Sequence, residues 1–218
     1  SRPFTLAAPH RHASHHILLH GWLRRHGLDP HEDAEIVFLP PQLMTRHLKA
    51  GHIDGYCVGE PWNSEAILSG IGWCPATSAD LSHGHPEKVL LVSGRFHHER
   101  KEESISLVSA LLDACKLCQD PAFRNDMISI LAMKEYTGAS EDVLKNSHGS
   151  HFNTGAGSTS ASAFHVFHGE SVNCPTVEKA SWVLAGLRAI GTLPDVTCGS
   201  LSRIYREDLF HAATQGTQ

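Results

Sequence analysis

The stretch "FTLAAPHRHASHHILLHGWLRRHGLDP" (residues 4–30) decides the fold, because it joins a short apolar strand to an amphipathic helix. The helix ends at Gly27, a residue type that commonly stops a helix. Its apolar stripe consists of Ile17, Leu18, Trp22 and Leu23. The alternation continues through a strand, a helix and a strand at residues 35–40, 41–52 and 53–59. Strands that alternate with helices in this way predict an α/β fold with a parallel sheet.

The candidate binding residues lie where ligands of such a sheet collect, at the carboxyl ends of its strands. The first loop, "PHRHASHH" (residues 9–16), contributes Ser14 and His15. The loop after the third strand, "GEPWN" (residues 59–63), contributes Gly59 and Glu60. Lys88 begins a later predicted strand. A hydroxyl, an imidazole, helix N-terminal amides and an ammonium together supply the donors and the positive potential that a small-anion site needs.

The rest of the chain is predicted to contain more helix than the first 59 residues do. Residues 87–96 ("EKVLLVSGRF") predict another buried strand, and residues 146–163 predict a Gly/Ser/Thr-rich loop, either mobile or covering a cleft. We predict two long helices, then a final helix and a short helical piece, at residues 101–118, 122–136, 176–190 and 202–210.

Composition excludes several classes of function. The chain has 218 residues, 41% of them hydrophobic, and a formal net charge of −5. It therefore lacks the basic surface expected of a protein that binds nucleic acid directly. Its longest apolar runs are strand-sized, too short to cross a bilayer. The six cysteines do not form a dense disulfide framework, so we expect mostly reduced thiols.

The histidine-rich segment at residues 10–20 suggests a metal site, because two pairs have the i, i+4 spacing of helical ligands. No H-E-x-x-H motif or nearby carboxylate completes a ligand set there, so we expect surface and helix-packing histidines and no metal or other cofactor. Cys115 and Cys118 fall inside a helix, which favours packing over redox chemistry. Neither a nucleophile elbow nor a phosphate-binding loop is present in the sequence.

Four segments, taken together and in order, resemble the substrate-binding proteins of bacterial nitrate and bicarbonate ABC transporters and their cytoplasmic nitrate-sensing relatives. They are "SHHILLHGWLRRHGLDP" (14–30), "VFLPPQLMTRHLKAG" (37–51), "IDGYCVGEPWNSEAILSGIG" (53–72) and "HPEKVLLVS" (85–93). The combination of D-G-x-C-x-G-E-P-W-N with a later H-P-E-K is the specific part. The resemblance is strongest over residues 3–133 and continues more loosely to about residue 210.

The resemblance implies a periplasmic-binding-protein type II fold, in which two lobes with parallel or mixed sheets, flanked by helices, close on a small oxyanion. His15 and Lys88 fall on the two ligand positions of that family. Lys88 implies nitrate or nitrite, since the bicarbonate binder has an acidic residue that works with calcium at that position. Glu87 beside it keeps the bicarbonate alternative open.

The resemblance also implies a division of the chain. Residues 1–85 would form lobe two, and residues 86–218 would form the helix-rich returning part of lobe one. Family members carry a further segment ahead of this region, so we expect a fragment that binds nitrate weakly or not at all by itself. The apolar face left open would drive self-association.

These implications predict a binding protein and not an enzyme. Its partner would be an ABC permease if the protein is periplasmic or anchored on the outer face of the inner membrane. It would be an antitermination regulator if the protein is a cytoplasmic nitrate sensor. The rival from another class is an enzyme related to thiamine-pyrimidine synthesis, which would need a compact Cys and His cluster that the sequence does not display.

Overall fold

A parallel three-stranded sheet with the order β2-β1-β3 organises the N-terminal part of the computed structural model, which describes residues 2–160, 164–193 and 199–215. The strands are β1 (Phe4–Ala8), β2 (Ala34–Phe38) and β3 (Gly55–Tyr56). In the register, Phe4 pairs with Ala34, Ala8 with Phe38, and Leu6 with Gly55. The predicted βαβαβ unit is confirmed.

Helices pack on both sides of β1, because successive side chains of a strand point to opposite faces. On one face, Leu6 contacts Leu19 and Leu23 of α1 (Ser14–Arg25). On the other, Ala7 lies in a core cluster with Met44 of α2 (Pro41–Lys49). The central strand is therefore buried on both faces, as a parallel sheet requires.

Helices make up most of the rest of the chain. After β3 come α3 (Trp62–Leu68), α4 (Ser78–Leu81), α5 (Gly94–Glu99), α6 (Lys101–Gln119), a 3-10 turn (Pro121–Phe123), α7 (Arg124–Ala132) and α8 (Glu141–His148). A hairpin of β4 (His151–Asn153) and β5 (Ser158–Ser160) follows. The chain then forms α9 (Glu170–Asn173), α10 (Val177–Ala189), a 3-10 turn (Leu201–Arg203) and α11 (Glu207–Gln215). None of the described helices combines the length and apolarity needed to cross a membrane.

The strand predicted at residues 87–96 is wrong. Residues 87–92 have no regular secondary structure, and Leu91 is 81% exposed. Within the described part of the chain, no strand pairs with this segment, and an apolar run becomes a strand only where a neighbour accepts its backbone hydrogen bonds. Ser93 instead caps α5, its hydroxyl accepting a hydrogen bond from the Phe96 backbone N–H at 3.1 Å.

The loop predicted at residues 146–163 is also wrong over most of its length. Helix α8 continues to His148, and the β4–β5 hairpin covers residues 151–160, whereas residues 161–163 lie outside the described ranges. Phe152 on β4 anchors the hairpin, because it is buried against Ile67 of α3. The buried Phe152 ring and the hydrogen bond from the Cys74 backbone N–H to the Thr154 carbonyl oxygen at 2.8 Å therefore help to order a segment whose composition resembles a loop.

Candidate functional site

His15 is the second residue of α1, directly after the loop that leaves the carboxyl end of β1. Its side chain is 15% exposed. Ala13 is the N-cap of this helix, and its methyl side chain cannot cap the backbone N–H groups of the first turn. Uncapped N–H groups at a helix N-terminus favour a negatively charged ligand. His15 therefore places an imidazole in the first turn of a helix whose start favours an anion.

The carboxylate of Glu87 lies between the two predicted anion ligands. Its Oε1 accepts a hydrogen bond from Lys88 Nζ at 2.6 Å, and the same oxygen lies 3.9 Å from His15 Nε2. Gly59 is the neighbour on the β3 side. A Cβ placed on it would lie 3.6 Å from His15 Nε2 and 3.7 Å from Glu87 Oε1. The fold thus brings His15, Gly59 and Lys88 together around one anionic oxygen.

The charges of this group act on each other. Burial lowers the pKa of His15, and the Lys88 and His85 charges lower it further, which outweighs the opposite effect of Glu87. Burial raises the pKa of Glu87, but the hydrogen bond and charge of Lys88 outweigh burial, so its pKa is below the usual value. Glu87 is therefore ionised at neutral pH. A neutral His15 ring keeps one N–H with which to donate a hydrogen bond to an anion.

Two other predicted site residues, Glu60 and Ser14, are not part of the group around Glu87 Oε1. Glu60 Oε2 accepts hydrogen bonds from the Ser64 hydroxyl at 2.6 Å and from the Ser64 backbone N–H at 3.3 Å. Its carboxylate therefore satisfies the first turn of α3, and burial raises its pKa despite these hydrogen bonds. Ser14 opens α1 and is half-buried, but it is not among the residues that line the cavity around His15.

The cavity around this group is an open cleft of about 1880 Å³. Besides His15, Gly59, Glu60, Glu87 and Lys88, its lining includes apolar residues of α6, namely Val108, Leu111, Leu112 and Cys115. The polar group thus occupies one part of a larger, mostly apolar cleft.

A further histidine, His165, lines the same cavity and was not singled out by the sequence analysis. Its ring stacks on that of His148 with 4.6 Å between centroids. Its Nε2 is buried and has no hydrogen-bond partner in the described part of the protein. Burial lowers its pKa, and the charge of Glu87 opposes that effect. No local sequence signal distinguishes His165 from the many other histidines, because only the fold brings it to the cleft.

The histidine-rich segment at residues 10–20 does not converge on a metal position within the described residues. His16 and His20 are buried on α1, with 4.6 Å between their ring centroids, and His16 Nδ1 lies 2.9 Å from the Arg11 carbonyl oxygen. Burial lowers the pKa of His20 to about 4. The His16 ring packs against Phe38 and the His20 ring against His31, so both side chains help to hold α1 in the fold.

The fold is that of ABC-type solute-binding proteins. The crystal structure of the periplasmic nitrate-binding protein NrtA from Synechocystis PCC 6803 superposes with a TM-score of 0.90 at 22% sequence identity, over all of this chain and 58% of that one. The type II periplasmic-binding-protein fold expected from the sequence is thereby confirmed.

A profile of the NMT1-like family matches residues 1–132, and the chain belongs to that family. It is 34% identical over 213 residues to the nitrate import ATP-binding protein NrtC of Synechocystis sp. PCC 6803. It is 33% identical over 190 residues to the bicarbonate transport ATP-binding protein CmpC of the same organism. These alignments cover 96% and 87% of this chain but only 32% and 28% of the relatives. The chain therefore spans about a third of the length of these curated relatives.

Proposed function

We propose that this chain is a solute-binding module of a nitrate-type ABC transport system and binds nitrate or nitrite between His15, Gly59 and Lys88. One observation carries the proposal. A carboxylate oxygen, Glu87 Oε1, already lies against the Lys88 ammonium and near the His15 ring. A carboxylate is planar and singly charged, as nitrate is, so its position marks where such an anion would find its donors.

Affinity for the anion should be weak in this chain. Lys88 is 82% exposed, so solvent and salt screen its charge. The incoming anion must also compete with Glu87 for the same ammonium. We therefore expect dissociation constants in the millimolar range, which requires a method that reads weak binding.

Bicarbonate is the second candidate ligand. The similarity to the bicarbonate transport protein CmpC favours it, and so does Glu87, an acidic residue in the place where calcium would be needed. Nitrate is the first choice because the Lys88 ammonium supplies the positive charge directly, whereas the bicarbonate alternative requires a calcium ion. A calcium requirement for binding would separate the two.

The predicted division of the chain belongs to the same proposal. Residues 1–85 would form one lobe with the parallel sheet, and residues 86–218 would contribute to the other, with the cleft between them. Closure of the lobes would then be the signal to a partner. Such a protein binds and releases its ligand unchanged, so we propose a binding protein rather than an enzyme.

The partner would be the membrane permease of the transporter. The protein would lie in the periplasm, as the word 'periplasmic' in the name of NrtA states for that protein, or on the outer face of the inner membrane. The similarity to two transport ATP-binding proteins favours a second placement beside such a subunit on the cytoplasmic side. Fractionation of cells that express the tagged full-length gene product separates these placements. The regulator-linked sensor and the thiamine-pyrimidine-type enzyme have no comparable support.

Self-association through an apolar face is also part of the proposal. The exposed side chains Val89, Leu90 and Leu91 lie on a segment that makes no backbone hydrogen bond in the described part of the chain. A second copy could supply the missing strand partner, since an unpaired apolar edge is a template for pairing. Sedimentation should show a dimer that Leu91→Lys dissociates. A concentration-independent monomer contradicts this part.

Thermal unfolding in a panel of anions tests the proposed function. At constant ionic strength in a fluoride background, nitrate and nitrite should raise the melting temperature more than chloride does. Lys88→Gln should remove the difference, and Lys49→Gln, an exposed lysine on α2, should leave it unchanged. Equal shifts with every anion, or a difference that survives Lys88→Gln, would rule out the proposed site.

A further inference from the structure

Three side chains of metal-binding type meet away from the His15 group. They are Cys174, Glu207 and His211, and their ligand atoms all lie within 4.8 Å of one another. Cys174 is buried, Glu207 is half-buried and His211 is exposed. No metal site was expected from the sequence, because the histidine-rich segment at residues 10–20 lacks a residue that completes a ligand set. Cys174, Glu207 and His211 are far apart in the chain, and only the fold brings them together.

The local structure explains why they converge. Glu207 and His211 are four residues apart on α11, which puts both side chains on one face of that helix. Cys174 follows the last residue of α9 and precedes the start of α10. The Val177 backbone N–H donates to Glu207 Oε1 at 3.2 Å, which holds the carboxylate beside the turn that carries the thiol. The second oxygen of Glu207 is not part of this contact.

We propose that Cys174, Glu207 and His211 bind a zinc ion that links α11 to the junction between α9 and α10. A thiolate, a carboxylate and an imidazole are all ordinary zinc ligands. The two anionic ligands together balance the charge of the dication. Tetrahedral zinc, with bonds of about 2.0–2.3 Å, needs ligand atoms roughly 3.3–3.5 Å apart. The three ligand atoms already lie within 4.8 Å of one another, so the ion would draw them closer together.

The surroundings fit a partly open site. His211 is exposed, which gives the ion a path from solvent and leaves room for water as a fourth ligand. Lys179 lies beside this group, and its Nζ donates to the carbonyl oxygens of Val172 and Cys174, each at 2.7 Å. These two carbonyl acceptors anchor the ammonium on the backbone. Phe210 and Ala213 are buried on α11, so that helix is already packed before an ion binds.

Cobalt(II) binding to the purified protein tests this site, because cobalt replaces zinc and its thiolate bond gives an intense near-ultraviolet charge-transfer band. We expect one cobalt ion per chain, held against a weak competing chelator, with that band present. Zinc added in equal amount should abolish the band. A folded protein without the band, or a band that zinc does not displace, would overturn the proposal.

Single variants distinguish cobalt binding at this site from non-specific cobalt binding by other histidines. Cys174→Ser should lose the band, and His211→Ala should weaken cobalt binding at least tenfold. Cys118→Ser and His151→Ala, a half-buried thiol and an exposed histidine elsewhere, should change neither. If the buried Cys174→Ser protein fails to fold, the exposed His211→Ala and the half-buried Glu207→Gln carry the test. Wild-type affinity in both of those variants would also overturn the proposal.

Discussion

Glu87 Oε1 accepts a hydrogen bond from Lys88 Nζ at 2.6 Å while lying 3.9 Å from His15 Nε2. The protein's own carboxylate thus occupies the space between the two side chains that we assign to an external anion. Glu87 is 41% exposed, so it is free to turn toward solvent when another anion arrives. We regard Glu87 as an internal competitor for the oxyanion.

The substitution Glu87→Gln should therefore tighten nitrate binding. It removes a negative charge beside Lys88 and His15 while keeping the size of the side chain. We expect a gain in affinity of about threefold to tenfold, which corresponds to about 0.7–1.4 kcal/mol. Nitrate titration at constant ionic strength measures it, with Glu99→Gln on α5 as the control. Unchanged or weaker binding in Glu87→Gln would mean that Glu87 does not compete for the site.

Glu60 should act on stability and not on the anion. Its carboxylate accepts two hydrogen bonds from Ser64 at the start of α3. Glu60→Ala leaves both donors without this partner, and we expect a loss of about 1–3 kcal/mol in the free energy of unfolding. Urea unfolding of Glu60→Ala, Ser64→Ala and the double variant should show strong non-additivity. Loss of nitrate binding in the folded Glu60→Ala protein would contradict this expectation and show that Glu60 is a ligand of the anion.

Acid should destabilise the protein through buried histidines. Burial lowers the pKa of His20 and of His148, each to about 4, from the usual 6.5. The unfolded state therefore binds more protons than the folded state between pH 6.5 and pH 4, so stability falls as the pH drops through this window. Between pH 7.5 and pH 5, each of these histidines should account for about 2 kcal/mol.

The variants His20→Gln and His148→Gln each test this dependence. Each should reduce the loss of stability between pH 7.5 and pH 5, measured by urea unfolding at both pH values. His151→Gln, an exposed position on β4, should follow the wild type. An undiminished pH dependence in the first two variants would show that other groups cause the acid sensitivity.

Gly186 should be required for the contact between α1 and α10. A Cβ at this position would lie 2.7 Å from both Cδ1 and Cγ2 of Ile17, closer than atoms can pack. We expect Gly186→Ala to destabilise the protein by about 1–3 kcal/mol. Gly21→Ala in α1 is the matched control. A Cβ there meets nothing within 4 Å, so it should stabilise the helix by about 0.5–1 kcal/mol.

The clash can be checked by a double-mutant cycle. Ile17→Ala removes the atoms that a Cβ at residue 186 would meet, so it should rescue much of the loss caused by Gly186→Ala. Additive effects of the two substitutions would show that the helices adjust without strain.

The sequence predicted the βαβαβ unit correctly because its signals are local. Apolar spacing defines β1 and α1, and Gly27 and Gly51 follow the helix ends with positive φ angles of 76° and 70°. Residues 87–92 show where prediction from local sequence signals fails. Their apolar pattern indicates a strand, but whether a strand forms depends on a neighbour that local pattern cannot reveal.

The candidate site was predictable only in part. His15, Gly59 and Lys88 lie close to Glu87 Oε1, and their places after strand ends or in family-like motifs are what drew attention to them. That they bind an anion stays a prediction. The position of the Glu87 side chain between them depends on a rotamer, which no sequence pattern encodes. His165 and the Cys174–Glu207–His211 cluster depend on long-range packing of the helical part.

The most direct test of the account follows the ring nitrogens of His15 by ¹⁵N NMR while nitrate is added at constant ionic strength and pH 7. We expect a saturable shift with a millimolar dissociation constant, present with nitrite, lost in Lys88→Gln and absent with chloride. A His15 signal that does not move, or that moves equally with chloride, would contradict the assignment of this group as an oxyanion site.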